Sequence, residues 1–187
     1  MTETAVEIPG YVTGKWIIDP VHSDVSFLAR HMMVSKVRGH FTKFEGELLI
    51  AEDPLQSAAT ATIDLNSIST NNEMRDNHIR SADFFEVETY PVMTYRSAGI
   101  TRDGDDFILD GELTLKGVTR SVPLKLEVNG FGPDAQGSTR AGFSATGEIN
   151  RMAFGVSYNG PIPGGGVAVS EKVSITIEAE GVLSKDG

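Results

Sequence analysis

The chain contains no cysteine, which removes disulfides, a thiol nucleophile and thiolate metal sites together. It is short of positive charge: 16 Lys and Arg stand against 26 Asp and Glu, for a net charge of -10 and a sequence pI ≈ 4.8. Recognition of nucleic acid needs basic residues collected on one face, so this balance argues against a nucleic-acid partner and equally against docking on an anionic membrane. Long apolar runs are missing too. No segment approaches the ~20 uninterrupted apolar residues of a spanning helix. Met1 to Gly10 carries Glu3 and Glu7, with no basic start and no apolar run of signal-peptide length. The expectation is a cytoplasmic protein with no stable membrane insertion. Nucleophile motifs are absent as well: there is no GxSxG elbow, and Gly164-Gly165-Gly166 is not followed by the Lys-Ser or Lys-Thr of a phosphate-binding loop.

What the chain has is alternation. Val25, Phe27 and Ala29 alternate with Ser26 and Arg30; Ala59, Ala61, Ile63 and Leu65 with Thr60, Thr62 and Asp64; Val173, Ile175, Ile177 and Ala179 with Ser174, Thr176, Glu178 and Glu180. Val122 to Val128 reads Val-Pro-Leu-Lys-Leu-Glu-Val in the same manner. Successive side chains of a strand point to opposite faces, so each segment has one apolar and one wet face. The pattern predicts strands near 15–19, 23–31, 37–50, 57–66, 92–98, 106–116, 120–131, 139–150 and 171–182, joined as an antiparallel meander. Asp103-Gly104-Asp105, Lys116-Gly117 and Asp134 to Gly137 supply the hairpin turns. Gly39 and Gly46 suggest a bend in the third strand. With 187 residues, 40% of them hydrophobic, the whole chain from 1 to 187 reads as one all-β domain.

Two stretches break the pattern. Asn71 to Phe85 loses the period of two and offers an Asn cap before helix formers, predicting a short helical excursion near residues 72–85. Met152 to Gly166 contains Pro161 and Pro163 and reads as a flexible surface loop, or a lid if it lies at a barrel mouth.

Candidate chemistry is sparse. His22, His31, His40 and His78 match no metal-binding spacing and read as hydrogen-bonding residues at strand ends and turns. A three-histidine metal site and a contact to a ligand head group are the alternatives. Asp105-Asp106 reads as a solvated turn. Arg75-Asp76-x-His78, beside Phe84-Phe85, has two readings: it orders a barrel mouth and holds a polar head group, or it is an ion-paired helix pinned to the rim by the two Phe side chains. Phe27, Phe44, Tyr95, Phe107 and Phe143 hold the inward parity of their strands, among small residues Ala29, Gly46, Ala61, Gly111, Ala145 and Gly147. Large walls with small gaps suit either a ligand cavity or a packed taper.

The ordered set of motifs resembles the YceI-like family of lipocalin-like, polyisoprenoid-binding proteins. Trp16-Ile17-Ile18-Asp19-Pro20-Val21-His22-Ser23, Val25-x-Phe27, His31 and Val37-x-Gly39-x-Phe41 carry the first part. Ile63-Asp64, Ser67-Ile68-x-Thr70, Arg75-Asp76-x-His78, Phe84-Phe85 and Tyr90-Pro91 carry the second. Gly111-x-Leu113-Thr114-Leu115-x-Gly117-Val118-Thr119, Ile149-Asn150-Arg151 and Phe154-Gly155 complete a match over a core of about 14–182.

The resemblance implies an eight-stranded antiparallel lipocalin-like β-barrel with a long apolar tunnel, often a homodimer, with no catalysis and neither metal nor cofactor. Its guests would be long-chain amphiphiles: polyisoprenoids, isoprenoid quinones or fatty-acid derivatives, held for storage or transport. The candidate ligand-binding residues are Phe27, Ala29, His31, Phe41, Phe44, Ile63, Arg75, His78, Phe84, Phe85, Tyr95, Leu113, Leu115 and Phe143. Arg75, His78 or His31 would meet the head group. Competing expectations are an enzyme using the histidines on an apolar substrate, and a ligand-free, stress-related module with a solid core.

Overall fold

The computed structural model describes residues 8–31, 34–160 and 169–184. Its strands form a single antiparallel sheet that closes on itself. β1 (Gly14–Ile18) and β2 (Asp24–His31) run as one stave, because both pair with β12 (Lys172–Leu183): Trp16 lies opposite Leu183, and Val25 opposite Ile177. β3 (Ser35–Phe41) and β4 (Phe44–Ile50) make the second stave, and β5 (Ala58–Asp64) with the short β6 (Ile68–Ser69) the third. β7 (Val92–Asp103) and β8 (Asp106–Leu115) follow. β9 (Val118–Ser121) with β10 (Leu124–Pro133) forms the sixth stave, β11 (Thr139–Asn150) the seventh, and β12 the eighth. Each stave pairs with its neighbour in the chain and β12 returns to the first, giving an eight-stranded up-and-down barrel.

The alternating pattern becomes an inside and an outside. Along β8, Leu109, Gly111, Leu113 and Leu115 are buried while Asp110 and Glu112 are exposed. Lys116 and Gly117 take consecutive left-handed conformations, φ 51° and 76°, and join β8 to β9 with the backbone twist a tight hairpin needs.

Three expectations about interruptions need correction. The break in the second stave falls at Thr42-Lys43, not at Gly39 or Gly46. Gly39 is a seat instead: a Cβ there would lie 2.3 Å from Cζ of Phe27. Gly111 is likewise covered by the Tyr95 ring, 2.4 Å from where its Cβ would stand. These small residues are filled by neighbouring side chains and leave no room for a guest. The run at Val122 to Val128 is also not one strand, since Pro123 lacks the N–H a ladder requires and separates β9 from β10.

The helix is α1 (Glu73–Arg80), started by Asn72, whose Oδ1 accepts from the Arg75 amide at 3.0 Å. Its position matters for access to the interior. The third stave leaves the wall after Ser69, so β3 pairs with β6 only at His40–Ser69 and Phe41–Ile68. Residues 35–39 of β3 therefore have β2 on one side and, among the described residues, no strand on the other. No helix among the described residues is long and apolar enough to cross a membrane.

Candidate functional site

The barrel interior is closed at one end and hollow at the other. At the closed end Trp16 is fully buried and packs with Ile50 and Ala141. Phe131 meets Trp16, Tyr11 and Phe143 edge-on, with ring centroids 5.5, 5.6 and 6.1 Å apart. A small void of about 80 Å³ remains there, bordered by Leu48, Leu109 and Phe143.

A cavity of about 400 Å³ occupies the other half. Inward parity supplies its walls: Val25, Phe27 and Ala29 from β2, Leu113 and Leu115 from β8, Val173, Ile175 and Ile177 from β12. Tyr95 and Leu124 line this cavity and adjoin Leu109, which lines the smaller void: Leu124 lies opposite Leu109 on the paired strand, and Tyr95 Oη is 3.4 Å from the Leu109 carbonyl. Tyr95 Oη donates to the Val122 carbonyl at 2.7 Å. Burial, and secondarily the charge of Asp110, pushes its phenol well above the usual range, so it stays protonated and keeps donating.

All of the candidate ligand-binding residues line this cavity except two. Phe44 packs against the core without reaching the cavity. Phe143 does point inward, but at the closed end, where it borders the smaller void. Parity gives a residue's face and says nothing of its height along the barrel, which explains both misplacements. Phe107, also of inward parity, borders neither space and lies under Arg102, 5.9 Å from the ring centroid. The interior space is divided into a cavity of about 400 Å³ and a smaller void of about 80 Å³.

The mouth is built by α1 and the chain after β11. Thr70 is its anchor: Arg75 Nε donates to its hydroxyl and Nη2 to its carbonyl, both at 2.7 Å. The buried Asp76 carboxylate accepts from the Thr70 amide at 2.9 Å and from its hydroxyl. The expected ion pair within Arg75-Asp76 is thus replaced by a shared threonine. His78 Nε2 bonds Asp83 at 2.8 Å, and its ring stands edge-on to Phe84 and Tyr158, 5.1 and 5.0 Å away. His31 forms a β-bridge with Val169, which extends the edge where β2 meets the chain leading into β12.

Sequence reasoning missed three residues that line the cavity: Val156 and Tyr158, because Met152 to Gly166 read as surface loop, and Arg151, which stood in a motif without a role. Phe154 and Val156 are in fact fully buried, and Arg151 is buried behind them. Its guanidinium donates to the carbonyls of Val156, Tyr158, Val169 and Ser170 at 2.7–3.1 Å, tying both sides of the loop together. An Arg closing the run Ile149-Asn150-Arg151 was the available signal. Pro161, Pro163 and Gly164 to Gly166 lie outside the described residues.

The histidines do not converge. His78 and His31 border the cavity, while His22 and His40 do not. Among the described residues, Asp19, His22 and Glu180 have potential ligand atoms within 4.8 Å of one another. Arg140 already occupies that cluster, donating from Nη1 to Asp19 and to Glu180 at 2.8 Å, and from Nε to Asp134 at 2.7 Å. Its guanidinium, then the hydrogen bond to His22, holds the Asp19 carboxyl well below the usual range.

Known proteins share this architecture. A Campylobacter jejuni YCEI protein superimposes with a TM-score of 0.71 at 27% identity, covering 83% of this chain and 90% of its own. A polyisoprenoid binding domain from Saccharophagus degradans, implicated in plant cell wall breakdown, superimposes with a TM-score of 0.68 over 92% of this chain and 100% of its own; at 17% identity that likeness concerns the fold alone. Protein YceI of Escherichia coli is 37% identical over 166 residues, 88% of this chain and 83% of the relative. The YceI-like domain model matches residues 16–181. With that match spanning nearly the whole barrel, the chain belongs to the YceI-like domain family.

Proposed function

We propose that this protein is a non-catalytic carrier or store for an apolar small molecule, a long-chain amphiphile such as a polyisoprenoid, isoprenoid quinone or fatty-acid derivative, held in the barrel cavity. One observation carries the reading: a cavity of about 400 Å³ walled almost wholly by aliphatic and aromatic side chains. Protein interiors hold few voids larger than a water molecule, so a space this size is no packing defect. It falls within the ~300–1,000 Å³ of small-molecule sites. Each methylene removed from water contributes ~0.8 kcal/mol, so a chain of ten supplies enough to offset the entropy of association without elaborate polar recognition. The Saccharophagus degradans domain, of the same fold, is a polyisoprenoid binding domain, which is consistent with that ligand class.

The enzymatic alternative finds less support. His78 paired with Asp83 resembles an oriented base, yet the nearby Ser81 hydroxyl donates to the His78 backbone carbonyl, and among the described residues no nucleophile is hydrogen-bonded to the ring. Extraction of the purified protein with organic solvent, followed by mass spectrometry, tests the proposal. A stoichiometric prenyl or acyl species is the expected result. Absence of any such species, together with no uptake of added fatty alcohol or prenol, overturns it.

A further inference from the structure

The net charge of -10 is not evenly spread. The closed end of the barrel gathers acids in its loops and strand ends: Glu52 and Asp53 after β4, Asp103 closing β7, Asp105 in the turn, Asp106 opening β8, and Asp134 after β10. The mouth carries acids as well, Glu73 in α1, Asp83 just after it and Glu171 just before β12, but its β2–β3 side is basic. On β2 and β3, Arg30 lies directly opposite Lys36, and Leu28 opposite Arg38. Arg30, Lys36 and Arg38 are exposed, and among the described residues none of them forms an ion pair. Lys172 opens β12, the strand on the other side of β2.

Like charges directly opposite each other on paired strands are destabilising. A chain with 26 acidic side chains has ample means to neutralise such a pair, and here it does not. The same rim exposes apolar side chains. Val34, in the turn between β2 and β3, is 84% exposed, and its amide bonds the carbonyl of His31, a cavity residue. Met74, also 84% exposed, sits one helical turn before His78, whose ring packs on the 38%-exposed Tyr158. Two apolar tips therefore flank the opening, and three cations stand behind one of them.

We propose that the mouth docks on an anionic phospholipid surface, with Val34 and Met74 entering the interface and Arg30, Lys36 and Arg38 meeting headgroup phosphates. The proposal rests on the cavity's role as a lipid site, since docking there places the opening against the membrane from which an apolar guest comes. Geometry keeps the acidic end out of the way. β12 has 12 residues, and at ~3.3 Å per residue with barrel tilt the closed end stands roughly 30 Å from the mouth. That exceeds the ~8 Å Debye length of physiological salt several-fold, so the surface responds to the rim and not to the net charge. Each basic residue near an anionic surface adds about fivefold to partitioning.

Cations on an unpaired strand edge also guard against edge-to-edge association, and that explanation is separable by experiment. Glutamate guards an edge as well as lysine does, so the Lys36→Glu, Arg38→Glu double variant keeps that protection and reverses the charge. The full-length protein and this variant are co-sedimented with vesicles of phosphatidylglycerol and phosphatidylcholine, and with phosphatidylcholine alone. A pyrene-labelled fatty alcohol, delivered either from cyclodextrin or from the anionic vesicles, reports cavity filling. Expected are binding of the unaltered protein to anionic vesicles, suppressed by high salt, and a loss of more than tenfold in the variant. Cyclodextrin-delivered uptake stays unchanged in both. A Val34→Asp, Met74→Asp variant loses vesicle binding with its charge intact. Equal binding by the unaltered protein and the charge variant, or none by either, overturns docking. So does self-association of the unaltered protein that the charge variant abolishes, which makes the patch an interface between copies. Failure of both proteins to take up the cyclodextrin-delivered probe instead refutes the cavity reading, a separate result.

Discussion

Single residues show how closely this barrel couples packing to charge. Gly39 holds its place because the Phe27 ring lies where a Cβ would be, so Gly39→Ala forces a cavity wall to move. The expected cost is about 1–3 kcal/mol, read as a lower Tm, with weakened binding of an apolar probe. The Arg140 cluster makes an electrostatic prediction. A carboxylate whose folded-state pKa is depressed stabilises the fold above its unfolded value of about 4, and that contribution disappears as pH falls through the lower folded value. Asp19 and Asp134 are both depressed, with Arg140 as the first cause in each. Stability therefore declines below about pH 4. Asp19→Asn removes a charge-assisted bond, lowers stability at neutral pH by roughly 1–2 kcal/mol, and flattens the acid limb of a Tm-versus-pH profile. An unchanged acid limb would show that the cluster contributes nothing.

At the level of elements, α1 and its anchor decide whether the cavity has a mouth. Asn72→Ala removes only the cap and costs about 1 kcal/mol. Asp76→Ala leaves the Thr70 amide and hydroxyl without their acceptor in a buried setting, and the expected cost is larger, about 2–3 kcal/mol. Hydrogen exchange checks the pair: both variants expose α1 amides, Asp76→Ala far more, while the β11–β12 ladder stays protected. The cap at Asn72 is readable from sequence, since Asn before helix formers has a mechanism. The role of Thr70 is not. It is a buried threonine six residues from its carboxylate partner, and nothing local marks which polar side chain it serves.

For the whole molecule, the partition of the interior sets what can be held. Tyr95 and Leu124, on the cavity side, adjoin Leu109, on the side of the smaller void, and so mark the division between the two spaces. Tyr95→Ala removes the ring over Gly111 and joins the larger cavity to the smaller void. The expected outcome is a loss of about 3–5 kcal/mol in stability and a shift of preference toward longer chains across a fatty-alcohol series. No shift would place the division elsewhere.

The inward face of each strand follows from the chain itself, because a period of two admits only one way to hide Leu109, Leu113 and Leu115 and leave Asp110 and Glu112 wet; the nine alternating runs become eight staves only where β1 and β2 join against β12. The turns at Lys116-Gly117 and the capped helix are equally local. Height along the barrel is not local: closing eight tilted strands staggers them, so Phe143 goes to the sealed end while Phe27, of the same parity, walls the cavity. Long-range closure also buries Phe154 and Val156 and converts Arg151 into a clasp for four carbonyls; the β2–β3 hairpin gathers Arg30, Lys36 and Arg38, and closure sets that hairpin at the mouth of an acidic protein. Alternation in the chain dictates that there is an interior; only the stagger of the closed sheet decides which end of it stays open.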